Sequence, residues 1–229
     1  MSAFRTGDIL KESWGIFKEK MLLVWLVLAI MWGISFFFGI FQENVGEESA
    51  FGALISLVSF VATILLELGM IRVFLNLVDH KEAKIEQLFS ESHHFFRYLG
   101  AFILFGLGVL IGLILLIIPG IYIALRYGFF AYFIVDKDTK IMESFEKSAN
   151  VTKGIKWQLI VFALAMLGVN ILGFLCLGIG LLFTIPVTSL SFAVLYRRLV
   201  SDVQASVKPV TTPETVPSDT PLVPPAPVA

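Results

Sequence analysis

The sequence predicts an all-α, polytopic integral membrane protein with six transmembrane helices arranged as three hairpins. Three observations predict this class. Of the 229 residues, 57% are hydrophobic and only 15% are charged, against roughly 25% charged residues in an average soluble domain. Apolar runs of bilayer-spanning length recur along the chain, and the predicted outer connections contain none of the 17 Lys and Arg. The formal net charge of −1 also argues against a nucleic-acid-binding protein, which would need a concentrated basic face.

The membrane spans follow from the length of the apolar runs. A bilayer core of about 30 Å needs about 20 consecutive apolar residues per helix, because every backbone N–H and C=O in lipid must be satisfied within the segment. Residues 1–20 precede the first run, and the transmembrane domain is predicted to cover 21–200. The predicted spans are about 21–41, 51–78, 98–117, 119–135, 157–177 and 180–200.

Two apolar regions are too long for one helix, and each contains a sequence that favours a turn. Residues 98–135 contain Pro119 followed by Gly120, and proline removes a backbone hydrogen-bond donor. Residues 157–200 contain a Gly-Ile-Gly sequence at 178–180. We therefore place one turn in each region, which divides the two regions into four spans.

Each hairpin is preceded by a short stretch that predicts an amphipathic helix lying along the cytoplasmic interface. Apolar residues recur at helical spacing in all three stretches, which places them on one face. The stretches also align as a weak threefold repeat in which Ser13, Ser92 and Ser148 are equivalent. The apolar positions are Leu10, Trp14, Phe17 and Met21 in the first stretch, Ile85, Phe89 and Phe96 in the second, and Ile141, Phe145 and Ala149 in the third.

The basic residues set the predicted orientation, because Lys and Arg accumulate on the cytoplasmic side of a membrane. The three connections at 42–50, 119–120 and 178–180 contain no basic residue, whereas the opposite side of the topology and its adjoining spans hold all 17. Both termini are therefore predicted to be cytoplasmic.

The last segment of the chain differs sharply in composition from the spans. Residues 201–229 contain seven of the nine prolines, together with many Ser, Thr and Val. A segment of this composition cannot bury a core, so it predicts a disordered, Pro-rich cytoplasmic tail. A partner ligand and a tail without a specific partner both fit this composition, and the second is the commoner case.

Two charged residues lie deep in predicted spans, where a charge is costly unless it is paired, hydrated or able to reach the interface. Glu67 lies twelve residues before Asp79, and Arg126 lies ten before Asp136, so their depths are similar. We predict an ion pair between Glu67 and Arg126, with Arg72 as a competitor for Glu67. The pair either fixes helix register or lines a solute or proton path. The lack of a further chain of acids, His or Lys in the spans favours the structural role.

The other polar features predict packing rather than chemistry. Asn170 is expected to form an interhelical hydrogen bond, and Gly108 and Gly112 to let two helices approach closely. His93 and His94 are adjacent on a helix and point in different directions, so they predict no metal site. The sequence contains no phosphate-binding loop, nucleophile elbow or His-Glu-x-x-His motif. We therefore predict no catalytic residue, no cofactor and no enzymatic activity.

One stretch resembles a known group of membrane proteins. It comprises IPGIYIALRY at 118–127, IVD at 134–136, ESFEKS at 143–148 and KG at 153–154. The stretch resembles poorly characterised six-span prokaryotic membrane proteins, a group that includes the membrane domain fused to some glycerophosphodiester phosphodiesterases, and the likeness extends over about residues 5–200. The resemblance implies a prokaryotic cytoplasmic (inner) membrane. It implies no activity, because the carboxylates and histidine of the phosphodiesterase have no counterparts in this sequence.

Three functions are compatible with these features. The first is an accessory or scaffold protein that contacts membrane lipids and a membrane-protein or cytoplasmic partner through its interfacial helices and tail. The second is a carrier or channel for a lipid-like or small solute, with Glu67 and Arg126 at its midpoint. The third is a membrane partner of a glycerophospholipid-metabolising enzyme. The apolar spans with few charges favour the first, and the oligomeric state does not follow from the sequence.

Overall fold

The computed structural model describes residues 4–45, 49–176 and 178–207, and every regular element in those ranges is helical. The predicted all-α class is confirmed. The α-helices are α1 (Thr6–Glu19), α2 (Met21–Val45), α3 (Ala50–Val78), α4 (Phe95–Leu115), α5 (Ile117–Tyr127), α6 (Phe130–Lys137), α7 (Ile141–Val151), α8 (Lys156–Leu175) and α9 (Leu181–Val207). Two short 3₁₀ helices, Ile85–Phe89 and Ser92–His94, connect α3 to α4.

Five helical segments are long and apolar enough to cross a bilayer, which is compatible with a multi-pass membrane protein. Only 17–28% of the residues in each apolar window are buried inside the protein, so most residues of these windows are at least partly exposed. The predicted six-span arrangement is not confirmed, because α9 is not among the five. The segments are Met21–Glu43, Ala50–Val78, Ile85–Leu115, Ile117–Lys137 and Lys156–Leu175.

Helix α9 is less apolar because other helices surround it. It packs against α1, α3 and α8, and the hydroxyl groups of Thr188, Ser191 and Tyr196 have hydrogen-bond partners within the protein. Ser191, for example, donates to the carbonyl of Val187 at 2.7 Å. A helix covered by protein needs no continuous apolar surface toward lipid. Six of its residues are fully buried, namely Leu190, Ser191, Ala193, Val194, Leu195 and Tyr196.

The turn between α4 and α5 lies at Leu116, not at the predicted Pro119-Gly120. Leu116 is extended, with φ −166° and ψ 143°, and Pro119 is the third residue of α5. Proline is tolerated there because the first backbone N–H groups of a helix have no intrahelical partner. Gly120 instead lies against Gly112 of α4, where a Cβ on Gly112 would stand 2.8 Å from the Gly120 Cα. Glycine at both positions is what lets these two helices touch.

The predicted fourth span, 119–135, is divided between α5 and α6 by a break at Gly128 and Phe129. Two buried hydroxyl groups, one from Ser148 of α7 and one from Thr152 directly after that helix, satisfy the backbone at this break. The carbonyl of Arg126 accepts from Ser148 Oγ at 3.0 Å and from Thr152 Oγ1 at 3.1 Å. The Phe129 N–H donates to Ser148 Oγ at 3.2 Å. Helix α7 therefore supports a bend that the apolar pattern does not reveal.

The three predicted interfacial stretches differ in structure. The first and third form the single helices α1 and α7, and their equivalent serines, Ser13 and Ser148, are fully buried. The second contains the two 3₁₀ helices, and its Ser92 is exposed. The main chain of Leu88 packs directly against Gly69 of α3, so this stretch lies along a transmembrane helix. The predicted threefold repeat is not reproduced in its second copy.

The last helix extends beyond the predicted end of the transmembrane domain. Helix α9 continues to Val207, so residues 201–207 are helical and the predicted disordered tail begins too early. The rest of that predicted tail, 208–229, lies outside the described residues, as do residues 1–3 of the predicted first interfacial helix. The turn before α9 contains Gly178 with φ +76°, a conformation that glycine adopts without strain.

The contact between α4 and α5 predicts opposite effects for two glycines of α4. Gly112→Ala should lower the free energy of unfolding by about 1–3 kcal/mol, because the new methyl group collides with the α5 backbone. Gly106→Ala is the matched control, because its Cβ would enter open space, and alanine should there be neutral or stabilising. Thermal unfolding of both variants in the same detergent measures the difference. Equal stability of the two variants would contradict the close contact.

Candidate functional site

Glu67 lines a cavity of about 280 Å³ between α3, α4, α6 and α9. The side chain of Tyr98, which is 2% exposed, lines the same cavity. Two more hydroxyl-bearing side chains, Tyr132 and Ser189, line the same space. A mostly apolar cavity with a few converging polar groups is the usual form of a small-molecule site.

Aromatic rings form most of the cavity wall. The Tyr98 ring stacks on Phe102 and on Phe130, with centroid distances of 6.0 and 5.8 Å. Phe105 approaches Phe130 at 5.1 Å, so these rings form a continuous surface contributed by α4 and α6. The break at Gly128 and Phe129 sets the direction of α6 and thereby places Phe130 in this wall. The seven aromatic lining residues are Phe74, Tyr98, Phe102, Phe105, Phe130, Tyr132 and Phe192.

The predicted ion pair between Glu67 and Arg126 is not formed. Arg126 Nη1 donates to the hydroxyl of Tyr122 at 2.6 Å, and its guanidinium lies 5.7 and 5.6 Å from the ring centroids of Tyr122 and Tyr127. Lys156 Nζ donates to the same Tyr122 hydroxyl at 3.0 Å. Similar depths in two spans did not bring the two charges together, because Arg126 is half-buried beside α8 and lies outside the cavity.

Arg72, the predicted competitor for Glu67, does not bind it either. It forms a two-pronged ion pair with Glu91, with Nε and Nη2 at 2.8 and 3.1 Å from the carboxylate oxygens. Nη2 also donates to the carbonyl of Val135 in α6. Arg72 therefore ties α3 to the 3₁₀ segment and to α6, a structural role for a partly buried charge.

The histidine pair lies next to this ion pair. Glu91, His93 and His94 each offer a ligand atom within 4.8 Å of the others. Both Glu91 oxygens already bind Arg72, so a metal ion would have to displace a guanidinium. On the other side of His94, an Arg97 hydrogen bond holds the pKa of the Asp138 carboxyl below its usual range. The arrangement is a chain of ion pairs and gives no reason to assign a metal.

Asn170 connects α8 to α9. Its Nδ2 donates to Thr188 Oγ1 at 3.0 Å and to the Met166 carbonyl at 3.0 Å. The first of these bonds crosses between the two helices, and interhelical amide bonds of this kind hold helix pairs together in apolar surroundings. Asn170 does not line the Glu67 cavity.

The strongest charge cluster was not identified as a site from the sequence. Arg197 Nη2 donates to Asp79 and Nη1 to Asp136, both at 2.8 Å. The Tyr196 hydroxyl adds a bond to Asp136 at 2.9 Å. This cluster joins α9 to the C-terminal ends of α3 and α6. A signal for it exists in the sequence, because all three charges stand at predicted cytoplasmic ends of spans and therefore at one level.

The other residues missed from the sequence are the aromatic ones around Glu67. Tyr98 and Tyr132 are separated by 34 positions, and nothing in the local pattern distinguishes them from the other aromatic residues of the spans. Their convergence depends on the crossing of α4 and α6, which is a property of the packed bundle.

Comparison with known proteins gives one family match. Residues 103–202, from α4 to α9, match a family model described as "Protein of unknown function (DUF975)". Over this segment the chain is similar to that poorly characterised family. The match includes Arg126, Asn170 and Arg197 but not Glu67, and it shows no fusion to a glycerophosphodiester phosphodiesterase. Neither a curated protein nor a solved structure matches the chain.

The Arg197 cluster predicts that two neighbouring arginines differ in importance. Arg197→Met should lower the free energy of unfolding by about 3 kcal/mol, because it removes the guanidinium that bridges Asp79 and Asp136 and leaves each carboxylate only a more exposed lysine. Arg198→Met, the matched control on the next residue, removes only an exposed pair with Glu12 and should cost less than about 1 kcal/mol. Denaturant titration of both variants in detergent compares them. An Arg198→Met loss as large as that of Arg197→Met would contradict the assigned role.

Proposed function

We propose that this protein binds and carries a small or lipid-like solute in the cavity beside Glu67. The observation that supports this most directly is the cavity itself, with its aromatic wall and the converging groups of Glu67, Tyr98, Tyr132 and Ser189. Its volume of about 280 Å³ suits a small solute or one part of a lipid. The proposal assigns no chemical reaction to the protein.

A comparison of the acidic residues supports binding over a purely structural role for Glu67. Structural carboxylates in apolar surroundings usually have a cationic partner, and Glu91 and Asp136 follow this rule through Arg72 and Arg197. Among the residues that the structure describes, Glu67 has no ion-pair partner, and no Lys or Arg lines its cavity. A carboxyl group without a cation beside it therefore favours a solute that carries a positive charge or a hydrogen-bond donor.

The proposed location is the cytoplasmic membrane of a prokaryote, with both termini in the cytoplasm. The absence of Lys and Arg from the three predicted outer connections supports this orientation. Asp79, Asp136 and Arg197 meet at one end of the bundle, which is consistent with their predicted position at the ends of spans on one side.

An accessory or scaffold role, including partnership with a glycerophospholipid-metabolising enzyme, is the second candidate. The observation in its favour is the exposure of large apolar side chains on the helices outside the spans. Trp14 of α1 is 43% exposed and Met142 of α7 is 71% exposed. Such residues could contact a partner protein, but they also suit the membrane interface.

Filling the cavity tests the carrier proposal. Gently extracted wild-type protein should retain a stoichiometric small molecule or lipid in intact-complex mass spectrometry, and Ser189→Phe should lose it because the new ring enters the cavity. Thr63→Phe is the matched control, since Thr63 is exposed on α3 and does not line the cavity. Equal retention of the small molecule by both variants would show that it does not bind in the cavity. A stoichiometric second protein in place of the small molecule would support the accessory role.

Cys176 tests the proposed orientation, because it is the single cysteine and is exposed. A membrane-impermeant maleimide should label it from outside intact cells. In a Cys176→Ser background, Ser201→Cys on the exposed far end of α9 should be labelled only in inverted vesicles. The reverse pattern would place the termini on the outer side.

A further inference from the structure

A second charge imbalance lies outside the Glu67 cavity. We propose that Arg126, Lys156 and Tyr122 form a site for a phosphate group, carried by an anionic membrane lipid or free in solution. The site is separate from the Glu67 cavity, and the inference does not depend on the carrier proposal.

Two cations share one hydroxyl oxygen at this site. Arg126 Nη1 lies 2.6 Å and Lys156 Nζ 3.0 Å from the Tyr122 oxygen. The two nitrogen atoms are therefore less than about 6 Å apart, a distance at which like charges repel one another. An anion that contacts both groups would relieve this repulsion. Among the described residues, neither cation has a carboxylate within ion-pair distance.

One hydrogen-bond donor at this site has no acceptor among the described residues. The Nε–H of Arg126 is buried and has no hydrogen-bond partner among the described residues. A buried donor without a partner is costly, and a guanidinium binds the oxygen atoms of phosphate with two parallel hydrogen bonds. Lys156 is also the first residue of α8, where the helix dipole adds to the positive potential.

The surrounding side chains favour a lipid as the source of the phosphate. Trp157, next to Lys156, is 76% exposed, and the Tyr122 ring lies 4.3 Å from Lys156 Nζ. Tryptophan and tyrosine with neighbouring basic residues are typical of the level of lipid headgroups. The predicted topology places the beginning of α8 at the cytoplasmic interface, where anionic lipids present phosphate groups to basic side chains. The hydrogen bond from Lys156 brings Tyr122, and with it Arg126, close to this level, nearer the interface than their positions in the predicted fourth span indicate.

The test compares the unfolding temperatures of the wild type and Lys156→Gln, first without lipid and then with lipid. In a phosphate-free maltoside detergent, Lys156→Gln should raise the unfolding temperature, because it relieves the repulsion between two cations. On addition of phosphatidylglycerol, the wild type should gain stability and Lys156→Gln should gain less, with an apparent affinity reduced about fivefold. Arg126→Gln should weaken the affinity by a similar factor. Inorganic phosphate, titrated separately, shows whether a soluble anion can replace the lipid.

Lys153→Gln is the matched control, because Lys153 is an exposed lysine three positions before Lys156. The proposal expects phosphatidylglycerol to stabilise Lys153→Gln as much as the wild type. An equal loss in Lys153→Gln and Lys156→Gln would show diffuse electrostatic attraction and overturn the site. Equal stabilisation of the wild type and all variants would overturn it as well. If Arg126→Gln fails to fold, Tyr122→Phe provides the second variant, since it removes the oxygen that brings the two cations together.

Discussion

The cost of placing a charge among apolar side chains governs the arrangement of this protein. An ion pair or hydrogen bond lowers this cost, and the pairs that form decide which helices touch. Arg197 binds Asp79 and Asp136 and so holds α9 against the ends of α3 and α6. Arg72, through Glu91 and the Val135 carbonyl, ties α3 to the 3₁₀ segment and again to α6. The helices joined in this way include three of the four that enclose the Glu67 cavity.

The second constraint is that buried backbone groups need hydrogen-bond partners. This constraint determines the direction of α6 and therefore which residues form the cavity wall. The break between α5 and α6 exposes carbonyl and N–H groups that water cannot reach in a packed apolar region. Ser148 of α7 and Thr152 directly after that helix satisfy them, so a bend persists where a straight helix would otherwise be expected. Because of that bend, α6 directs Phe130 toward Tyr98 and Phe105. The small helix α7 therefore supports the cavity although it contributes none of its lining residues.

The separation of Glu67 from Arg126 is the most consequential difference from the sequence-based prediction. An ion pair between them would have neutralised both charges and left a purely structural contact. Instead the carboxylate lies in an aromatic cavity with Tyr98, and the guanidinium shares the Tyr122 hydroxyl with Lys156. Among the described residues, one location has a carboxyl group without a cation, and the other has two cations without an anion. Both proposals about ligands arise from this separation.

The sequence by itself determined the helical class, most of the apolar spans and the presence of charges that need partners. These properties depend on composition and on the length of apolar runs, and both can be read from consecutive residues without knowledge of tertiary contacts. It also located the region of each turn, but not the turn at Leu116, because a proline in the first turn of a helix looks the same in sequence as one between helices. Only the tertiary structure decided which acid met which arginine. Depth in a span fixes one coordinate of a side chain, whereas pairing also depends on helix rotation and on which helices are neighbours, and the packing of α7, α8 and α9 sets both.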